Sequence, residues 1–173
     1  MTTLYLVRHA PKAWKNGRKP LDASGHQHDP PLADPLTASG LLATTIEQLK
    51  GVHFNGIYCS PFLRTRQTLD LITKGLELKQ AHVQLCPDLG EFLGNQRSHR
   101  VPDLESSTAQ AYPGEQKKRS LLTEGIGRVE FRTRRFLKSL PPGNYLVVTH
   151  GLIAEKLSGH DIEEGALRVH IIE

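Results

Sequence analysis

The sequence is poor in residues that staple a small fold covalently or anchor it in lipid. It holds two cysteines, Cys59 and Cys86, one tryptophan and one methionine, and aromatic side chains make up 6% of its 173 positions. Two cysteines outside any C-x-x-C pair are too few for a disulfide framework and form no redox motif. They read as reduced thiols, and a cytoplasmic location is the expectation. No apolar run approaches the roughly 18 residues of a membrane helix, so no membrane partner is expected. The opening "MTTLYLVRH" has no basic region before its apolar stretch, and it reads as a strand rather than a signal peptide. Aromatic residues do not interleave with the basic runs "KKR" at 117 and "RTRR" at 132. Those runs read as exposed helix faces, and nucleic acid is not an expected partner. His26 and His28 of "HQH" offer two ligands, short of a metal site. The net charge of +4 selects no partner class by itself.

What the chain does have is a 38% apolar content at a length that suits one domain, read here as residues 1–173. Positions 3 to 7 form a near-continuous apolar run, the pattern of a parallel strand buried on both faces. A proline- and glycine-punctuated surface loop is expected over 11–36. "LTASGLLATTIEQLKG" has helical spacing, with Thr37 or Ser39 as cap and Gly51 just past the end. "VHFNGIYCS" is a second strand. Ser60 as N-cap and Pro61 at the first turn open a second helix through "LRTRQTLDLITKGL". "HVQLCPDL" gives a third strand, and an irregular cap is expected over 92–120. "SLLTEGIGRVEFRTRRFLKSL" is amphipathic, with a break expected near Gly125 and Gly127. "PPGNYLVVTHG", "LIAEKLSG" and "ALRVHII" supply a strand, a short helix and a last strand. Alternating strands and helices predict an α/β fold: a three-layer α/β/α sandwich around a mostly parallel sheet.

In such sheets ligands bind beyond the carboxyl ends of the strands. The residues delivered there are Arg8 and His9, then Ser60-Pro61 with Arg64 in the following turn, then Glu91, then Thr149-His150-Gly151. Two arginines, two histidines and one carboxylate would converge on one crevice. A buried cation needs an anionic partner, and guanidinium groups match phosphate oxygens bidentately.

The four stretches "LVRHA", "SPFLRTRQT", "DLGEF" and "VVTHG", in this order and spacing, resemble the histidine phosphatase superfamily, also called phosphoglycerate mutase-like. The resemblance spans nearly the whole chain. It implies the phosphoglycerate mutase-like fold and a role for each residue. His9 would be the nucleophile and form a phosphohistidine. Arg8 and Arg64 would hold the phosphoryl group, with Gly151 and backbone donors beside them. His150 would donate a hydrogen bond to its equatorial oxygens. Glu91 would protonate the leaving alkoxide and later activate water. No metal or cofactor is implied.

The chain departs from the family pattern in places. Ala10 stands where a glycine is common, which requires a conventional backbone dihedral there. Lys12 and Lys15 occupy positions where many mutases have glutamate and asparagine; Asn16, one place late, is retained as a phosphate-binding candidate, and Trp14 matches the family's aromatic. Hydrolysis of a phosphomonoester or of protein phosphohistidine is the expected reaction, because the chain stops just after its last strand and leaves the site open to water. The alternatives are mutase-type phosphoryl transfer and a non-catalytic phosphate-binding module on the same fold. The expected partner is a phosphorylated small molecule or a phosphoprotein. Ser60 lacks the G-x-S-x-G elbow of a hydrolase nucleophile and reads as a cap.

Overall fold

The computed structural model describes residues 1–13, 31–78, 83–92 and 126–173. In chain order these form β1 (Thr2–Arg8), α1 (Pro35–Leu49), β2 (Gly56–Cys59), α2 (Leu63–Gly75), β3 (Val83–Leu85), a short 3₁₀ turn (Pro87–Leu89), α3 (Ile126–Ser139), β4 (Gly143–Thr149), α4 (Gly151–Ser158) and β5 (Leu167–Ile172). The sheet runs β3-β2-β4-β1-β5. Its first four strands are parallel, and β5 pairs antiparallel with β1.

Side chains alternate across the central strands and so feed two cores. Tyr145 and Val147 of β4 face one layer with Val129 and Phe136 of α3 and Ile153 and Leu157 of α4. Leu146 and Val148 face the other with Leu42 and Leu49 of α1 and Leu69 and Ile72 of α2. Both faces of β4 are covered, which is why its apolar run is continuous. This is the α/β/α sandwich with a mostly parallel sheet that the alternating pattern predicts.

Local signals shift two boundaries. α1 is capped by Asp34, whose carboxylate accepts from the Leu36 and Thr37 amides, with Pro35 at the first position; Thr37 and Ser39 lie inside the helix. Gly51 follows the C-cap with φ +75, as a left-handed C′ residue should. α2 begins at Leu63 with no side-chain cap, so Ser60 and Pro61 precede the helix, not open it. The loop expected over 11–36 ends earlier, at Pro35, and its residues 14–30 lie outside the described residues. So do Gly125 and, apart from Phe92, the cap expected over 92–120; Gly127 lies within α3. No helix among the described residues is long and apolar enough to cross a membrane.

Cys59 and Cys86 are free and buried. Burial pushes their thiols up to about 12 and about 11, which makes them packing residues.

Candidate active site

Because β1, β2, β3 and β4 are parallel, their carboxyl ends open on one edge of the sheet. His9 leaves β1 with its amide bonded to Thr149 O, so the first and fourth strand ends are tied together. Its ring Nδ1 lies 2.8 Å from Ala10 O, a carbonyl that only accepts. Nδ1 therefore carries the proton, and Nε2 keeps its lone pair. Arg64 Nε–H, 3.3 Å from Nε2, points a donor at that same lone pair. The two contacts assign one tautomer.

Arg64 is buried in the first turn of α2, 3% exposed, and also donates to Glu91 Oε2 at 2.8 Å. Glu91 Oε2 lies 3.3 Å from His150 Nδ1. Since a carboxylate accepts, the tautomer with Nδ1–H on His150 suits it, and Nε2 then accepts the Ser60 hydroxyl proton at 2.8 Å. The His9 and His150 rings pack edge to face, centroids 5.2 Å apart. Glu91 reaches this position from the turn after β3. Thr149 Oγ1 donates to Leu89 O at 2.7 Å and fixes the turn two residues before it. From outside, Arg132 donates to Asp88 O and Arg135 pairs with the Asp88 carboxylate. The run expected to be an exposed helix face thus braces the Glu91 turn through two of its arginines.

Ser60, His150 and Glu91 line up as a hydroxyl, an imidazole and a carboxylate, the order of an acyl-transfer triad. Ser60 has no solvent exposure, and its hydroxyl is held by the His150 ring. Ser60 serves the ring. That is the use its strand-end position offered, and reading it as a cap missed it.

Arg8 is held from the chain's far end. Its Nη1 donates to Ile162 O at 2.9 Å, and Asp161 and Glu164 flank the guanidinium at 3.9 and 3.7 Å. Its Nε is the one buried side-chain polar atom without a partner among the described residues. The guanidinium lies against Gly151, where an added Cβ would stand 3.1 Å from Cζ and 3.2 Å from Nε. The glycine is therefore a contact requirement, placing Arg8 one residue from His150. Carboxylates and a carbonyl remote in sequence flank its Nη atoms, while Nε is left without a partner among the described residues. Asn16, Trp14, Lys15, His26 and His28 lie outside the described residues. Lys12 lies near enough for its charge to act on His150, a neighbour the motif reading did not assign.

The ligand atoms of His9, Glu91 and His150 lie within 4.8 Å of one another, close enough for a metal ion. Arg64 stands among them with a nitrogen on His9 and another on Glu91, so a cation there would meet a guanidinium at contact. The cluster suits an anion.

Its electrostatics follow from burial. Desolvation, reinforced by the His150 and Arg64 charges, pushes His9 down to about 3. Desolvation pushes His150 down to about 4 against the opposing pull of Glu91. For Glu91 burial alone would raise the carboxyl, but the His150 hydrogen bond and the Arg64 guanidinium override it and hold the group well below the usual carboxylate range. At neutral pH the site holds two neutral imidazoles and one ion pair. Unfolded histidines titrate near 6.5, so below that pH the unfolded chain binds more protons than the folded one, and stability declines as pH falls from 6.5 toward 4. Glu91 adds to the loss below about 4.5. Thermal melts across this range are expected to show a falling Tm; a level Tm contradicts the neutral pair.

The sequence pattern of the histidine phosphatase superfamily (branch 1) matches residues 4–163. The chain belongs to that superfamily. Solved structures agree in fold. A candidate alpha-ribazole-5'-P phosphatase from Escherichia coli K-12 is 24% identical with TM-score 0.59, over 97% of this chain and 89% of that one. The ecdysone phosphate phosphatase of Bombyx mori, solved with tungstate, is 15% identical with TM-score 0.63, over 98% and 88%. Bacillus stearothermophilus YhfR is 18% identical with TM-score 0.61, over 98% and 90%. Comparison with curated proteins returned no match.

Proposed function

We propose that the protein is a phosphomonoesterase that works through a phosphohistidine on His9. The observation that carries this reading is the tautomer: Nδ1–H is tied to the Ala10 carbonyl, and the lone pair on Nε2 lies against Arg64. A neutral imidazole in this state is a nucleophile at neutral pH. In the first step Nε2 forms a bond to phosphorus while the ester P–O bond breaks, and the alkoxide takes a proton from Glu91. In the second, Glu91 removes a proton from water, the resulting hydroxide attacks phosphorus, and the P–N bond breaks to restore His9. Arg64 and the Nδ1–H of His150 stabilise charge on the equatorial oxygens, and Arg8 contributes its Nε.

The substrate class proposed is a phosphorylated small molecule or phosphoprotein. Two proteins of the same fold are described as phosphatases, which supports hydrolysis as the reaction type. The test is release of p-nitrophenol and inorganic phosphate from p-nitrophenyl phosphate, with EDTA present and no bisphosphorylated additive. Equal release of both products is expected. Nitrophenol formed only when a second hydroxyl compound accepts the phosphoryl group would make the protein a transferase. No turnover on a panel of aryl, alkyl and phosphohistidine substrates would leave a binding module.

A further inference from the structure

The nucleophile's tautomer depends on the Ala10 carbonyl, so whatever holds Ala10 holds His9. Ala10 is fully buried. Its amide donates to Thr68 Oγ1 at 3.0 Å. On its other side Pro11 restricts its backbone to extended conformations. The Thr68 hydroxyl has one proton, and it goes to Arg64 O at 2.8 Å. Thr68 has no solvent exposure, so water cannot replace either contact. One hydroxyl thus joins the backbone of the residue that faces Nε2 to the backbone of the residue that binds Nδ1. It bridges the two contacts that define the His9 ring.

We infer that Thr68 is a positioning residue for the phosphoryl-transfer step, fixing the His9 tautomer and its registry with Arg64 through the Ala10 amide and the Arg64 carbonyl. The inference rests on the proposed role of His9. A buried threonine in mid-helix commonly returns its hydroxyl to the carbonyl four residues back, and Thr133 does so in α3. Thr68 differs in also accepting an amide from the strand end that carries the nucleophile.

The experiment compares wild type, Thr68→Val and Thr68→Ser. Thr68→Val removes the hydroxyl at nearly constant shape. It is expected to lower kcat by about tenfold to a hundredfold, the scale set by small misplacements of reacting groups. The affinity for inorganic phosphate should change little, because Arg64, His150 and Arg8 keep their own donors. In ¹⁵N-resolved NMR the His9 ring of wild type is expected to show protonated Nδ1 and unprotonated Nε2, and Thr68→Val a mixture of tautomers. Thr68→Ser restores the oxygen and should return both kcat and the single tautomer, at a lower Tm from the lost methyl group. A Thr68→Val protein with wild-type kcat and one His9 tautomer overturns the inference, even if its Tm falls. Should Thr68→Val not fold, Thr68→Ser decides: kcat loss in that variant overturns it, and retained kcat supports it. The NMR comparison needs no turnover, so an inactive wild-type protein would sink the phosphatase reading while still reporting whether Thr68 sets the ring.

Discussion

His9→Ala is expected to lower phosphoester turnover by at least about a thousandfold, the scale on which removal of a covalent nucleophile acts. The size of the effect follows from the lack of a substitute among the described residues. Cys59 and Cys86 are buried thiols raised to about 12 and about 11. Ser60 has no solvent exposure, and its hydroxyl is held by His150 Nε2. His150 is likewise without solvent exposure, and its Nε2 lone pair is held by the Ser60 hydroxyl at 2.8 Å. Phosphate binding should survive in His9→Ala, because the cationic donors remain. Equilibrium dialysis with inorganic phosphate beside steady-state assays reads both quantities. Turnover within tenfold of wild type would mean that another atom attacks phosphorus.

Glu91→Gln is expected to lower kcat on an alkyl phosphate by about 10²- to 10⁴-fold, the range of general acid–base catalysis. The loss on p-nitrophenyl phosphate should be smaller, because nitrophenolate departs without a proton. In the resting site Glu91 is ionised on Arg64 and has no proton to give. An incoming phosphate dianion competes for the same two donors, Arg64 Nη2 and His150 Nδ1. Displacing the carboxylate removes its cation and sets a negative charge beside it, and both changes raise its pKa. Under the proposed mechanism, binding is therefore expected to arm the acid, coupled to uptake of a proton by Glu91. Titration of phosphate in two buffers of different ionisation heat should reveal this uptake in wild type and its loss in Glu91→Gln. Equal kcat losses on the alkyl and aryl esters would contradict the role.

The sequence carries some of this plainly and some not at all. β1 and β4 are legible because both their faces are covered, which leaves continuous apolar runs that end in polar residues. Those ends name His9 and His150, and the same strand-end logic leads to Glu91 and Arg64. The helix starts are less legible, since Asp34 and Thr37 are both good caps and only the fold decides between them. Ser60 has the chemistry of a cap, and its hydroxyl is taken by a ring 90 residues away. The arrangement of Arg8 is beyond any local pattern, because Ile162, Asp161 and Glu164 reach it across the sheet from the chain's far end. Ala10 keeps the conventional dihedral expected of it: Glu77 is the one non-glycine at positive φ among the described residues.

The central claim is that phosphorus becomes bonded to Nε2 of His9. Turnover quenched in alkali, which preserves phosphohistidine, followed by digestion and mass spectrometry, tests it directly. A phosphoryl group is expected on the peptide that carries His9, bonded through Nε2. A phosphoryl group on Ser60 or His150, or an unmodified chain during a resolved burst of alcohol release, would contradict it.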